Sequence, residues 1–197
     1  MLYTLFHILF IIAFLGFTGI RMYYHRKAFA TAGQFTYKEG RFSSILRGLF
    51  GFPYILSLFA YMVYPPILSW AAFSLPDGLR WLGAVLCLAV LPLILWVQRS
   101  LGSNFSTRIH IRDEHTLVTQ GPYRWVRHPM YTVFMIQSIG LLLLTANWFV
   151  GGVYILALML IVIIRTPFEE NMMIDKFGEQ YRRYMSQTGK FLPRLTR

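Results

Sequence analysis

Charged residues are scarce in this chain, which is unusual for a soluble protein. Only 14% of the 197 residues are charged, against about 25% in an average soluble domain. The single cysteine, Cys87, excludes an internal disulfide and argues against a thiolate metal cluster. Because Cys87 stands within an apolar run, we interpret it as a small buried hydrophobic residue.

Apolar residues fill the chain instead, at 56% hydrophobic and 17% aromatic, and they are gathered into long runs. A bilayer core about 30 Å thick needs roughly 20 apolar residues per helix. The runs therefore predict an all-α integral membrane protein with about five transmembrane helices, at residues 2–20, 48–70, 79–97, 130–146 and 148–164. We expect the first to be a retained anchor, because it has no basic leader and no small-residue cleavage site. Pro53, Pro65 and Pro66 should kink the second or end it early.

The formal net charge of +11 follows the predicted topology. All but one of the 19 Lys and Arg residues, Arg80, fall in residues 21–47, 98–129 and 165–197, which five spans place on one side of the membrane. By the positive-inside rule that side is the cytosol, and the N-terminus is outside. A nucleic-acid-binding protein would spread this charge along one exposed surface. We therefore expect a lipid bilayer and no nucleic acid as partner, while the pattern leaves the oligomeric state open.

Groups that bind small ligands are concentrated in residues 108–131. The spacings of His110, His115 and His128 match no common zinc site, so we predict no metal. Pro129 directly after His128 predicts that the fourth helix begins there. A helix N-terminus at the cytosolic membrane edge suits an anionic ligand group.

A second polar set stands at the end of the fifth span. Arg165 and Glu169 are four residues apart and share a face if the helix continues through Pro167. Ionisable residues at a membrane edge are costly unless they are paired or functional, so a simple interfacial ion pair is one interpretation. From Phe168 onward apolar residues recur every three or four positions, which predicts a C-terminal amphipathic helix that Gly178 loosens.

Four motifs follow one another in a set order along the chain. They are Gly121-Pro122-Tyr123, then Arg127-His128-Pro129-Met130-Tyr131, then Glu169-Glu170, and last Phe177-Gly178 with Tyr181 and Tyr184. In this order and topology they resemble the isoprenylcysteine carboxyl methyltransferase family, especially its small prokaryotic-type members, to which phospholipid N-methyltransferases are related. The resemblance covers about residues 80–195.

The resemblance implies a methyltransferase that uses S-adenosyl-L-methionine, bound in a cytosolic pocket, and releases S-adenosyl-L-homocysteine. Residues 98–129 and 165–197 would be the cytosolic catalytic elements, and the acceptor an isoprenylcysteine-like carboxylate or another lipophilic or lipidated molecule. Arg165 and Glu170 would be catalytic, and Arg165 would also bind the substrate. The implied cofactor contacts are His110, His115, Thr116, Leu117, Val118, Tyr123, His128, Pro129, Met130, Tyr131 and Glu169.

Two departures from the family leave the acceptor open. Thr132-Val133 follow Tyr131 where the family often has a glycine, and the predicted spans are fewer than those of the eukaryotic prenylcysteine enzymes. A phospholipid amine or a small thiol is the alternative acceptor. The non-enzymatic alternative is a membrane scaffold or transporter subunit. The predicted spans have no charged residue deep within the membrane, however, and an ion path usually needs such residues. A membrane reductase is a further alternative, but the chain has no glycine-rich dinucleotide fingerprint.

Overall fold

The structure, a computed structural model, describes the backbone of residues 2–30, 41–102 and 116–194. Within these ranges it describes the side chains of residues 4–27, 48–49, 51–102 and 116–194. The described ranges contain six α-helices, in this order: α1 (Leu2–Ala30), α2 (Arg41–Val63), α3 (Asp77–Leu101), α4 (Pro129–Thr145), α5 (Trp148–Phe177) and α6 (Glu179–Gln187). The 3-10 helices Pro65–Ala71 and Gly121–Arg124 accompany them. The described ranges hold isolated β-bridges but no strand, so the predicted all-α class is confirmed there.

Three of these helices are long and apolar enough to cross a membrane. They are Thr4–Lys27 within α1, α3, and α5. Gly51–Val63 within α2 and the whole of α4 are apolar but shorter. At 1.5 Å per residue the 17 residues of α4 reach about 26 Å, slightly less than a typical hydrocarbon core. The chain is therefore a multi-pass membrane protein, and the count of five spans stays a prediction.

Several helices begin or end away from the predicted spans. α1 continues past residue 20 to Ala30, because the basic residues that follow the apolar run are compatible with helix. α2 contains Pro53 and ends at Val63, before Pro65 opens the first 3-10 helix. The helix expected beyond Phe168 is instead continuous with α5, and Gly178 at φ 52° separates it from α6.

α3 and α4 pack closely because small residues face each other. A Cβ atom on Gly83 would lie 2.8 Å from the carbonyl oxygen of Gly140, and one on Gly140 would lie 2.8 Å from Sγ of Cys87. Small residues that let backbones approach are typical of helix pairs in membranes. Cys87 is fully buried at this contact, which agrees with its interpretation as a small core residue.

α4 and α5 form a tight hairpin around Asn147, the one residue between the predicted spans 130–146 and 148–164, whose closeness predicts such a turn. Ala146 turns the chain at φ 47°, and Oδ1 of Asn147 accepts hydrogen bonds from the backbone N–H groups of Phe149 and Val150 at 3.1 and 3.0 Å. Its Nδ2 donates to the carbonyl of Leu68 at 2.8 Å. The hairpin brings the start of α4 and the end of α5 to the same end of the bundle, where α3 also ends. We call this the polar end.

The C-terminal segment closes the polar end through backbone hydrogen bonds. The amide of Arg127 donates to the carbonyl of Gly189 at 2.8 Å, and the amide of His128 donates to that of Lys190 at 3.0 Å. α6 packs beside this segment, and the hydroxyl of its buried Tyr184 donates to the carbonyl of Tyr123 at 2.6 Å. The residues that begin α4 are therefore held from both sides.

Candidate functional site

Arg165 and Glu169 form an ion pair on the last turns of α5. The apolar run of α5 ends at Ile164, and the turns beyond it, which we take to lie outside the membrane-spanning segment, carry the charged residues. α5 stays helical through Pro167, so Arg165 and Glu169 share a face, with Nη2 and Oε1 3.3 Å apart. Nε of Arg165 is buried and has no hydrogen-bond partner within the described ranges.

Glu170 is the more buried of the two adjacent carboxylates, with 10% of its side chain exposed. Its Oε1 accepts a hydrogen bond from Nε of Arg127 at 3.0 Å and lies 3.2 Å from Nε2 of His128. Its Oε2 lies 3.3 Å from Nζ of Lys190. Burial alone would raise the pKa of Glu170, but the hydrogen bonds from His128 and Arg127 outweigh it and lower the pKa to about 2. Glu170 is therefore an anion at neutral pH, engaged by three basic side chains.

Glu169 is more open, with 24% of its side chain exposed. Its Oε1 accepts a hydrogen bond from the hydroxyl of Tyr131 at 2.8 Å, in addition to the contact with Arg165. Its Oε2 has a looser contact, 3.7 Å to Nδ1 of His128. Glu169 thus keeps one oxygen that a ligand could approach, whereas Glu170 has basic groups on both oxygens.

His128 connects the two carboxylates and precedes α4. α4 begins at Pro129, as predicted, and His128 precedes it in a non-helical conformation at φ −122°. The imidazole lies between the side chains of Glu169 and Glu170. The backbone N–H of His128 donates to the carbonyl of Lys190, which fixes the backbone of His128. The imidazole is thereby held where it contacts both Glu169 and Glu170 of α5.

A second group of predicted cofactor contacts is apolar. Val118, Tyr123 and Met130 pack into one hydrophobic cluster with residues of α3. Burial raises the pKa of Tyr123 well above its ordinary value, so its hydroxyl stays protonated. The α3 members of this cluster are Val90, Leu93, Ile94, Val97 and Leu101.

The remaining predicted contacts are distributed elsewhere or not described. Leu117 lines a cavity of about 1100 Å³ between the segment before α4 and α6, and the lining of this cavity includes neither Glu169 nor Glu170. Thr116 is exposed, and Pro129 is buried as the first residue of α4. His110 and His115 lie outside the described residues. The structure thus brings together His128, Tyr131, Arg165, Glu169 and Glu170, and separately Val118, Tyr123 and Met130.

Besides Arg127, which contacts Glu170, two more residues near the site were not among the predicted contacts. Lys190 reaches Glu170 from the C-terminal segment, and no local pattern in the sequence connects residues so far apart. Arg21 lies on α1, with its Nη1 3.5 Å from Sδ of Met130 and its guanidinium 4.9 Å from the ring centre of Phe134. The apolar run ends just before Arg21, so the prediction assigned it to a loop, and the continuation of α1 brings it to the site.

The polar cluster and the apolar cluster meet at the first turn of α4. Tyr131 contacts the carboxylate of Glu169, and Met130, its neighbour in sequence, packs into the apolar cluster. Consecutive residues of a helix point about 100° apart, so one turn serves both clusters. Such a junction can bind a molecule that has a charged part and a flat apolar part.

Comparison with known proteins connects this arrangement to one family. Residues 81–175 match the model of the isoprenylcysteine carboxyl methyltransferase (ICMT) family. The protein-S-isoprenylcysteine O-methyltransferase of Tribolium castaneum is 34% identical over 137 residues, which cover 64% of this chain and 49% of that protein. The Homo sapiens protein of the same name is 33% identical over 138 residues, covering 64% of this chain and 48% of that protein.

A solved structure of the eukaryotic intramembrane Ras methyltransferase ICMT is also similar. It superposes with a TM-score of 0.54 at 25% identity, over 81% of this chain and 55% of that one. The chain spans about half the length of the curated relatives it matches. The matched range runs from α3 almost to the end of α5 and contains Glu169, Glu170, His128 and all of the apolar cluster except Phe17 and Ile20 of α1. Residues 81–175 therefore resemble the isoprenylcysteine carboxyl methyltransferase family in sequence, and the chain resembles the eukaryotic methyltransferase in fold.

Proposed function

We propose that this chain is a membrane methyltransferase that transfers a methyl group from S-adenosyl-L-methionine to a carboxylate of a lipophilic acceptor. The observation that supports this most directly is the Arg165–Glu169–Tyr131–His128 cluster at the polar end, within the family-matched range. The cofactor supplies, when bound, a methyl group on a positively charged sulfur. The residues of this chain would bind the cofactor and the acceptor, orient them and exclude water.

Glu169 would bind the polar part of the cofactor. Its more open position and its loosely held Oε2 leave it able to accept hydrogen bonds from ribose hydroxyls or from an ammonium group. Tyr131 and Arg165 fix the other oxygen, so the carboxylate is oriented before a ligand arrives. The apolar cluster contains Val118, Tyr123 and Met130, which the family resemblance assigns to the cofactor, and it would bind the flat base.

Arg165 would hold the acceptor carboxylate. One edge of its guanidinium pairs with Glu169, and its buried Nε has no described partner, so a donor is available for a second carboxylate. Two hydrogen bonds from an arginine orient a carboxylate in a plane, which favours in-line attack. A carboxylate oxygen would form the new C–O bond as the methyl carbon–sulfur bond breaks. Opposite charges disappear in this step, so a site sheltered from water favours it, and no proton has to be removed.

Glu170 would act as a positioning residue rather than through contact with the ligand. Its oxygens are engaged by Arg127, His128 and Lys190, which leaves little capacity for a further hydrogen bond. Its anionic charge holds the His128 imidazole beside Glu169. The two adjacent carboxylates would then have different roles, Glu169 in ligand binding and Glu170 in positioning His128.

The membrane arrangement that fits this function has five spans. α2 and α4 would complete it beside the three longer helices, with the N-terminus outside and the polar end at the cytosolic face. The basic residues near the polar end, including Arg127 and Lys190, support that orientation. A water-soluble cofactor would then enter from the cytosol, and a lipophilic acceptor would enter sideways between helices.

Cofactor binding is tested with the detergent-purified protein and S-adenosyl-L-homocysteine in isothermal titration. Glu169→Ala and His128→Ala should each weaken binding at least tenfold, because a hydrogen bond to a charged group contributes about 1.5–3 kcal/mol. Glu179→Ala is the matched control, since it removes an exposed carboxylate from an ion pair on α6. Wild-type affinity in both site variants, with normal thermal unfolding, would refute the site assignment.

The acceptor is tested with a labelled methyl group and three substrates: an S-prenylated N-acetylcysteine, phosphatidylethanolamine and a small thiol. A methyl ester releases labelled methanol in base, whereas methylated amines and thioethers do not. We expect base-labile product from the prenylated carboxylate alone. Stable product from the amine or the thiol, with none from the carboxylate, would replace the proposed acceptor.

A further inference from the structure

Gln98 is a buried amide in the last turn of α3 that the mechanism above does not use. Its exposure is 0%, and neither Nε2 nor Oε1 has a hydrogen-bond partner among the residues that the structure describes. Burying an amide without a partner is costly, and native proteins leave few such groups. The position therefore suits a side chain that hydrogen-bonds a ligand.

The surroundings of Gln98 place it beside the apolar half of the candidate site. Ile94 and Leu101, four residues before it and three after it, lie on the same face of α3. Both belong to the apolar cluster. The same cluster contains three predicted cofactor contacts, Val118, Tyr123 and Met130.

The pairing of α3 with α4 shows how far along the bundle axis Gln98 lies. Gly140 of α4 packs against Cys87 of α3, and the two helices run in opposite directions. Gln98 follows Cys87 by eleven residues, about 16 Å along the axis, and Pro129 precedes Gly140 by the same interval. Gln98 is thus level with the start of α4, where the polar and apolar clusters meet.

We infer that the Gln98 side chain hydrogen-bonds the adenine base of the methyl donor, an inference that rests on the proposed function. An amide presents one acceptor and one donor side by side, which matches the exocyclic amino group of adenine and a neighbouring ring nitrogen. The apolar residues around Gln98 suit a flat neutral base. The charged end of the cofactor needs opposite charges, and these lie at Glu169 and its partners.

The test compares two ligands, S-adenosyl-L-homocysteine and its unsubstituted-purine analogue, in which a hydrogen atom replaces the exocyclic amino group and leaves the amide no partner at that position. The wild type should bind the adenosyl ligand at least tenfold more tightly. Gln98→Met should weaken adenosyl binding at least tenfold and bring the two affinities together. Gln137→Met is the matched control, because Gln137 is another buried amide in this helix pair, about 12 Å from Gln98 along the bundle. It should leave both affinities unchanged.

The outcomes separate this inference from the proposed function. If the wild type binds neither ligand, both fail. If it binds both ligands equally, or if Gln98→Met keeps wild-type affinity and preference, the role of Gln98 is refuted and the proposed function stands. Should Gln98→Met fail to fold, Gln98→Leu replaces it in the same comparison. Equal affinities of the wild type for the two ligands would by themselves contradict a hydrogen bond to the amino group.

Discussion

Replacement of Glu170 by glutamine is the sharpest test of the polar cluster. The substitution keeps the size of the side chain and removes the charge that Arg127, His128 and Lys190 share. Arg127 is as buried as Glu170, with 10% of its side chain exposed, so it would be left as a buried cation without its ion-pair partner. We expect Glu170→Gln to destabilise the fold and to disorder the start of α4.

Two independent estimates of the magnitude agree. A carboxyl pKa lowered from 4.5 to about 2 corresponds to about 3 kcal/mol of stabilisation of the anion. Removal of one partner from a buried ion pair typically costs about 3–5 kcal/mol. For a chain of this size about 3 kcal/mol lowers the unfolding temperature by roughly 6–12 °C.

The assay is thermal unfolding of the detergent-solubilised protein, followed by tryptophan fluorescence. Glu179→Gln is the control, because its carboxylate is 72% exposed and lies 3.9 Å from Arg182, a geometry that contributes little. The control should unfold within about 2 °C of the wild type. An equally small change for Glu170→Gln would show that the charges around Glu170 do not stabilise the fold, and the positioning role would be wrong.

Acid provides the same perturbation without a mutation. Because the folded-state pKa of Glu170 is below that of the unfolded chain, its contribution to stability is complete above pH 4.5 and is lost as the pH falls toward 2. The wild type should therefore lose more stability than Glu170→Gln between pH 5 and pH 3, and their unfolding temperatures should converge. Parallel curves for the two proteins would contradict the assigned pKa.

Three further substitutions test the hairpin, the α6 contact and the acceptor site. Asn147→Ala removes a helix cap and the bond to Leu68, and should lower the free energy of unfolding by about 1–2 kcal/mol; an unchanged unfolding temperature would refute the role of the cap. Tyr184→Phe loses the hydrogen bond to the carbonyl of Tyr123 and should lower the free energy of unfolding by about 1 kcal/mol in the same assay; an unchanged unfolding temperature would show that this bond does not stabilise the fold. Arg165→Lys keeps the charge but not two-point binding, so methyl transfer should fall at least tenfold while S-adenosyl-L-homocysteine affinity is retained; full activity would exclude Arg165 from the acceptor site.

Local rules predict the parts of this fold that depend on neighbouring residues. Pro129 predicts the start of α4, Asn147 predicts the hairpin, and the four-residue interval predicts the contact of Arg165 with Glu169. Pro167 does not end α5, since a proline removes only one backbone donor and the following turns carry their own polar contacts. The continuation of α1 past its apolar run was missed, because hydropathy marks where a span ends and not where a helix ends.

The contacts of Glu170 depend on the three-dimensional fold. Lys190 reaches it only because the C-terminal segment forms backbone hydrogen bonds to Arg127 and His128, and backbone pairing leaves no side-chain pattern in the sequence. Resemblance to the family identified the acidic pair but assigned Glu170 a catalytic role. The distances to its three basic partners favour a positioning role, which the sequence alone does not distinguish.

The first turn of α4 explains why one short motif carries so much of the proposed site. His128 faces the carboxylates, Tyr131 binds Glu169, and Met130 enters the apolar cluster. The hydroxyl of Thr132 donates to the carbonyl of Phe191 in the C-terminal segment at 2.7 Å. A shift of this turn would change the charged half, the apolar half and the closing segment together. We therefore expect substitutions that loosen the C-terminal segment to weaken cofactor binding, even though that segment lies outside the family-matched residues 81–175.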